Sequence, residues 1–265
     1  MSLNDKIILI TGANGGLGRA MAKMAAERGA RLALAELDSD KAAAALAALP
    51  AEHQAQSQAF AADLRDEPAI ERMMQEIVAH FGRLDGVVNN AAMLAADDGN
   101  AVDTPLDSWQ ATLDVNLTGA FLVYKYALPQ MLAQGHGSLV TMSSVVAHSA
   151  SAVPQIAYTT SKGALEAMTR EIAMTYARDN IRANCIAPGP ILTARTAHYF
   201  DTPEKWQSRR QHIPMGRLGR PEEIAALACF LLSDEAGWQT GGVYRADGGI
   251  AASYVVDDRN GAQTP

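Results

Sequence analysis

The sequence predicts an α/β fold, a single domain built on one doubly wound parallel sheet with helices on both faces. Three observations predict it. Short apolar runs recur along the 265 residues and alternate with longer segments of helical composition. The first run passes directly into a glycine-rich turn and then a helix. No linker divides the chain, which is long enough to bury an ample core. Residues 1–250 are therefore read as the domain, and residues 251–265 as a tail that is loose where it turns polar.

Lys6 to Thr11 is a continuous apolar run, as a strand buried on both faces requires. The turn from Thr11 to Gly18 follows, then a segment of helix formers from Arg19 to Arg28 that stops at Gly29. Further strands are expected over Leu32–Glu36, Gln58–Asp63, Leu84–Asn89, Ser138–Ser143, Ile181–Ala187 and Gly242–Ala246. The alanine- and leucine-rich stretch Lys41 to Leu49 reads as a surface helix ended by Pro50. Right-handed crossovers distribute the helices to both faces.

Strand, glycine turn and helix together make a phosphate cradle. Gly12, Gly16 and Gly18 let the backbone turn tightly and approach a pyrophosphate, and the helix N-terminus offers N–H groups and partial positive charge. Glu36 ends the second strand, where a carboxylate can accept from ribose hydroxyls. A 2′-phosphate would meet like charge there, and Leu37 supplies no basic group, so the expected cofactor is NAD(H).

Tyr158 and Lys162 have the i, i+4 spacing that puts both on one helix face. A free phenol titrates near pH ~10, and a neighbouring ammonium is expected to lower that value and make Tyr158 a proton carrier.

These residues together resemble the classical short-chain dehydrogenase/reductase family from about Lys6 to Gly249. The motif Thr-Gly-x-x-x-Gly-x-Gly stands at Thr11 to Gly18, followed by Asp63-Leu64 and by Asn89-Asn90-Ala91-Ala92, in which Ala92 replaces the family's Gly. Asn116, Ser144, Tyr158, Lys162, Pro188-Gly189, Thr193 and Asp247-Gly248-Gly249 come next in the family's order. The resemblance implies a Rossmann-type fold and an oxidoreductase that interconverts a secondary alcohol and a ketone. It implies that Tyr158 moves the proton, that Lys162 binds the nicotinamide ribose, and that Ser144, preferred over Ser143, contacts the substrate oxygen. Asn116 would hold a helix irregularity and a water that links Lys162 to solvent. The cofactor would lie along Gly12, Asn14, Gly15, Gly16, Leu17, Gly18, Glu36, Asp63, Leu64, Asn90, Ala91, Ala92, Pro188, Gly189, Ile191 and Thr193, besides Tyr158 and Lys162. A homotetramer is implied, paired through long helices over Ser108–Leu132 and Gln155–Arg178 and around the last strand.

The stretch from about 192 to 215 corresponds to the family's substrate lid. Tyr199, Phe200, Trp206, Ile213 and Met215, with Met93 and Leu94, would enclose a small to medium, partly apolar alcohol or ketone, cyclic or aromatic. His148 and Gln155 are candidate polar contacts. His198, His212, Arg195, Arg209 and Arg210 could meet an acidic group, but the arginines read more simply as the solvated face of an amphipathic lid helix.

Net charge is −7 with no block of basic residues, so nucleic acid is not an expected partner. No apolar segment approaches the ~20 residues needed to span a bilayer, and no secretory leader is evident, so the expected location is cytoplasmic. Cys185 and Cys229 lack redox or zinc spacing, and the six histidines form no ligand motif; no catalytic metal is expected. Two other readings remain: a catalytically silent NAD(H)-binding regulatory protein, and an epimerase or dehydratase. The second is disfavoured because such relatives carry a larger C-terminal domain, and the first because Asn116, Ser144, Tyr158 and Lys162 are all present.

Overall fold

The computed structural model describes residues 2–151 and 153–253. Seven strands form one sheet: β1 (Ile7–Thr11), β2 (Arg31–Glu36), β3 (Gln58–Ala61), β4 (Gly86–Asn89), β5 (Gly137–Met142), β6 (Ile181–Pro188) and β7 (Val243–Ala246). All pairings are parallel and the spatial order is β3-β2-β1-β4-β5-β6-β7. Successive strands run outward from β1 on one side and from β4 on the other. A crevice therefore opens outside the carboxyl ends of β1 and β4, where the order reverses.

The helices are α1 (Gly16–Glu27), α2 (Ser39–Ala47), α3 (Ala51–Gln54), α4 (Glu67–Phe81), α5 (Leu106–Leu113), α6 (Gly119–Gln134), α7 (Ile156–Tyr176), α8 (Pro203–Arg210) and α9 (Pro221–Leu232). Strand side chains alternate between two cores, one on each sheet face. Ile8, Ile10, Leu32, Leu34, Val88, Val140 and Ile186 pack with residues of α1 and α9. Ile7, Leu9, Ala33, Ala35, Val87, Leu139 and Ala183 pack with residues of α4, α6 and α7. Each fully buried Ile or Leu contributes about 1.5–3 kcal/mol. Burial on both faces explains why the five inner strands read as apolar runs, while the edge strands β3 and β7 are partly exposed. Both cysteines are buried and free, as expected of small core side chains.

The amino end of the sheet is closed by one buried carboxylate. Asp85 is 4% exposed, accepts the Ile7 N–H at 2.8 Å, and is bound by Arg83 and by His136 Nε2 at 2.7 Å. Burial alone would raise its pKa, but these donors outweigh that and hold it below the usual carboxylate range.

The expected long helix over Ser108–Leu132 is not continuous. Between α5 and α6 the chain makes a π-helical turn, Asp114–Thr118. Buried Asn116 lies at its centre, and its side chain is committed to backbone and side-chain partners outside its own helix. The tail from 254 onward lies outside the described residues.

Candidate active site

The crevice is a cleft of about 740 Å³. One end is the glycine turn. Gly12 has φ +63°, and a β-carbon there would lie 2.8 Å from the Ala91 Cα. A β-carbon at Gly18 would lie 2.2 Å from the Gly12 carbonyl oxygen, so α1 can seat on the turn only with glycine at that position. Gly15 faces the opposite situation: its β-position meets only the Gly12 oxygen, at 3.4 Å. No side chain caps α1 and no acid stands in its first turn. A backbone cradle with an uncapped helix N-terminus above it fits a pyrophosphate.

Thr11 and Asn90 hold this turn against β4. The Thr11 hydroxyl accepts the N–H groups of Asn90 and Ala91 at 3.0 and 3.1 Å, and Asn90 Nδ2 donates to the carbonyls of Thr11 and Gly12, both at 3.0 Å. Gly12, Gly15, Gly16, Leu17, Gly18, Asn90, Ala91, Ala92, Pro188, Gly189, Ile191 and Thr193 all line the cleft. Asn14 does not: its side chain accepts from Arg19 and its backbone N–H donates to Glu36 Oε1 at 2.8 Å.

Glu36, Asp63 and Leu64 line the far end. Here the structure adds basic groups that the local reading of Leu37 did not consider. Lys41 and Arg65 also line this end. Each is paired with an acid, Lys41 with Asp38 at 2.9 Å and Arg65 with Asp63 at 2.6 Å.

Ser144 lines the other end, with the half-buried Tyr158 beside it. Lys162, 3% exposed, lies one helical turn on, its Nζ 5.4 Å from the Tyr158 ring centre and donating to the Met142 carbonyl at 2.7 Å. The expectation that Lys162 lowers the Tyr158 pKa requires correction. Burial pushes the phenol above its ordinary value, and the positive charge of Arg195 and the hydrogen bond from Ser144 oppose this without overcoming it. Burial brings Lys162 down to about 8, with the like charge of Arg195 acting in the same direction.

Neighbouring residues hold these groups in place. Asn116 accepts the Met93 N–H at 2.8 Å and donates to the Met93 carbonyl at 2.9 Å and to Ser161 Oγ at 3.1 Å, tying the π turn to α7. Asp98 accepts the backbone N–H groups of Ala157 and Tyr158, and Gly99 O accepts that of Ile156, so a remote loop caps α7. Ser143 donates to Glu166 at 2.7 Å and to the Lys162 carbonyl at 3.2 Å, which separates its role from that of Ser144. Sequence reasoning missed Asp98 and Glu166; no local motif marks either.

Of the five candidate substrate residues, Met93 lines the cleft. His148 turns its Nε2 to Glu166 at 3.1 Å. Gln155 is the N-cap residue of α7. Tyr199 is 46% exposed and stacks on His198, with ring centres 3.9 Å apart, and Trp206 lies half-buried on α8. Arg195 is not on the lid helix: it lies before α8 and lines the cleft. Among the described residues no helix is long and apolar enough to cross a membrane, and no group of His, Cys, Asp and Glu could hold a metal ion.

A family model described as enoyl-(acyl carrier protein) reductase matches residues 12–251. The chain is 35% identical to 2-(S)-hydroxypropyl-CoM dehydrogenase 3 of Xanthobacter autotrophicus, over 94% of this chain and 98% of that one. It is also 35% identical to a 3-oxoacyl-(acyl-carrier-protein) reductase of Thermotoga maritima, over 94% and 99%. The crystal structure of levodione reductase superposes with a TM-score of 0.88 at 32% identity, covering 95% of this chain and 99% of that one. With the parallel sheet, the glycine cradle and Ser144 in one crevice, and Tyr158 and Lys162 one turn apart on α7, the chain belongs to the classical short-chain dehydrogenase/reductase family of oxidoreductases.

Proposed function

We propose that this oxidoreductase interconverts a secondary alcohol and a ketone with NAD(H), Tyr158 serving as general acid and base. The observation that carries the reading is the placement of Ser144 on the cleft wall with Tyr158 beside it and buried Lys162 one helical turn further on. Two hydroxyls this close together can both turn to one substrate oxygen. The related proteins named for hydroxy and oxo substrates support the same chemistry.

A bound nicotinamide supplies the hydride acceptor or donor, and the protein must then manage only the proton. In oxidation Tyr158 as phenolate takes the hydroxyl proton while the C–H electron pair leaves carbon; in reduction the phenol returns a proton to the carbonyl oxygen. Ser144 donates to that oxygen as negative charge develops on it. Positive charge from Arg195 opposes the burial that raises the phenol, and that of an oxidised nicotinamide would add to it. Lys162 would also bind the nicotinamide ribose, and Asn116 keeps the α7 face in register with Met93.

Glu36 supports NAD over NADP, since it presents a carboxylate at the ribose end where both nearby cations are already paired with acids. Met93, Val115 and Ile191 in the cleft favour a partly apolar substrate. Leu106, Phe121, Leu132 and Met174, exposed on α5, α6 and α7, support association into a homotetramer, which sedimentation would test against a monomer.

The test of the reaction is initial rates with NAD and NADP across cyclic, aromatic and hydroxy-acid secondary alcohols, and the reverse reaction on their ketones. Turnover that prefers NAD supports the reading. A clear NADP preference refutes the cofactor assignment, and binding of NADH without turnover of any substrate favours a silent binder.

A further inference from the structure

After β6 the chain folds into a hydrogen-bonded turn. The Thr196 hydroxyl donates to the Ile191 carbonyl at 2.6 Å and accepts the Thr193 N–H at 2.9 Å, and Ala197 N–H donates to the Thr193 carbonyl at 2.9 Å. This turn sets Thr193 against the glycine cradle, with a β-position at Gly16 only 2.9 Å from the Thr193 Cβ. It also returns Arg195 across the cleft, where Nη1 stands 3.4 Å from the Ala92 carbonyl, on the same wall as Met93 and Ser144. The other basic lid residues named in the sequence are placed differently. Arg209 and Arg210 lie on α8, and the His198 ring stacks on Tyr199.

Arg195 is exposed on the cleft and has a free charge to offer a ligand. Among the described residues no carboxylate stands within ion-pair distance of it, and Lys162 likewise donates to a neutral carbonyl. The nearby acids are engaged elsewhere: Glu166 by Ser143 and His148, Asp98 by two backbone N–H groups of α7. Arg195 is close enough to the reacting groups to bias the ionisation of both Tyr158 and Lys162. A guanidinium offers a planar fork of donors that matches a carboxylate in a bidentate pair.

We propose that the substrate is a hydroxy acid or oxo acid whose carboxylate is held by Arg195 while its carbinol or carbonyl carbon lies at Ser144 and Tyr158. This deepens the reading of the site as a secondary alcohol and ketone oxidoreductase and rests on it. The carboxylate neutralises the unpaired guanidinium, and its distance from the reacting carbon selects the chain length.

The experiment compares α-, β- and γ-oxo acids of one chain length with their methyl esters, using the wild-type protein with NADH, Arg195→Leu and Arg195→Lys. Both kcat/KM for reduction and equilibrium binding of each compound, followed by tryptophan fluorescence, are measured. One oxo acid should exceed its ester by about tenfold in kcat/KM, the gain of a charge-assisted pair with a guanidinium that water solvates when the ester is bound. In Arg195→Leu that preference should collapse to within a few-fold of one, and Arg195→Lys should recover part of it. Removing the charge also acts through Tyr158, so the acid-to-ester ratio is the decisive quantity. A ratio near one in the wild-type protein, or one that Arg195→Leu leaves intact, overturns the proposal. So does a variant whose defect is confined to a raised KM for NADH, which would make Arg195 a clamp on the cofactor. Turnover of neutral ketones with no preference for acids would sink the carboxylate assignment and leave the reaction class standing. Arg195-dependent binding of an oxo acid without turnover would do the reverse.

Discussion

Asp98 holds the backbone of Tyr158 from sixty residues away: its Oδ2 accepts the Tyr158 N–H at 2.9 Å, and its Oδ1 accepts the Ala157 N–H at 3.0 Å. A carboxylate at a helix N-terminus satisfies donors that the helix cannot and favours its dipole. Here it also fixes where α7 begins. Asp98→Ala should destabilise the fold by about 1–2 kcal/mol and lower kcat about tenfold through misplacement of the phenol, with KM for NADH changed less than about threefold. Asp98→Asn should recover most of the rate, because its amide oxygen still accepts one N–H. Thermal unfolding beside steady-state kinetics checks both; a stability loss with unchanged kcat would make the loop a cap and nothing more.

Tyr158→Phe should abolish turnover while NADH binds within a few-fold of the wild-type affinity, since the change removes the proton carrier and retains the ring. Fluorescence titration and initial rates separate the two. Retained turnover would assign the proton to another group.

Ser144→Ala should reduce kcat by about 10²-fold or more, the cost of one oxyanion donor. Ser143→Ala should instead act on stability, because its hydroxyl is buried against Glu166 and the Lys162 carbonyl. The opposite pattern in kinetics and denaturation would exchange their roles.

Glu36→Ala should raise kcat/KM for NADP relative to NAD by about tenfold or more, because a like charge no longer meets a 2′-phosphate and Lys41 and Arg65 remain nearby. An unchanged ratio would mean that Glu36 serves only to hold the Asn14 N–H.

Asp85 predicts a pH dependence of stability. Its folded pKa lies below the unfolded value, so its contribution is present above pH ~4 and is lost as pH falls through the folded value. Asp85→Asn should therefore cost about 1–2 kcal/mol near neutral pH, the loss of charge-assisted hydrogen bonds to partners that water can solvate, with the gap to wild type shrinking as the medium is acidified. Urea denaturation of both proteins across that range is the check, and a gap independent of pH would remove the ion pair as its source.

The five inner strands were legible because burial on both faces writes itself into the sequence as apolar runs, whereas the edge strands β3 and β7 are partly exposed and were legible from their place in the alternation of strands and helices. Their ends were less so: Leu84 and Asp85 read as strand, whereas the strand starts at Gly86 and Asp85 spends its side chain on Ile7, Arg83 and His136. The glycine cradle was legible because its conformation demands specific residue types at fixed spacing. Asp98, Glu166 and the cleft position of Arg195 were not, since each acts across tens of residues and nothing local encodes that proximity. The ionisation of Tyr158 was misjudged for a related reason. Spacing places Lys162 beside it, but spacing says nothing of the desolvation that both suffer when buried.

Because both sides of β1 are greasy, hydrophobicity cannot tell its correct pairing from one shifted by a single residue, which would merely exchange Ile8 and Ile10 with Ile7 and Leu9 between the two cores. The alignment is set at the two tips of the strand, by Asp85 gripping the Ile7 N–H below and the Thr11 hydroxyl receiving Asn90 and Ala91 above. The upper grip is also part of the nucleotide cradle. A one-residue insertion in β1 would thus leave the amount of buried oil nearly constant while dislodging the phosphate seat, so such a protein would lose its cofactor before it lost its compactness.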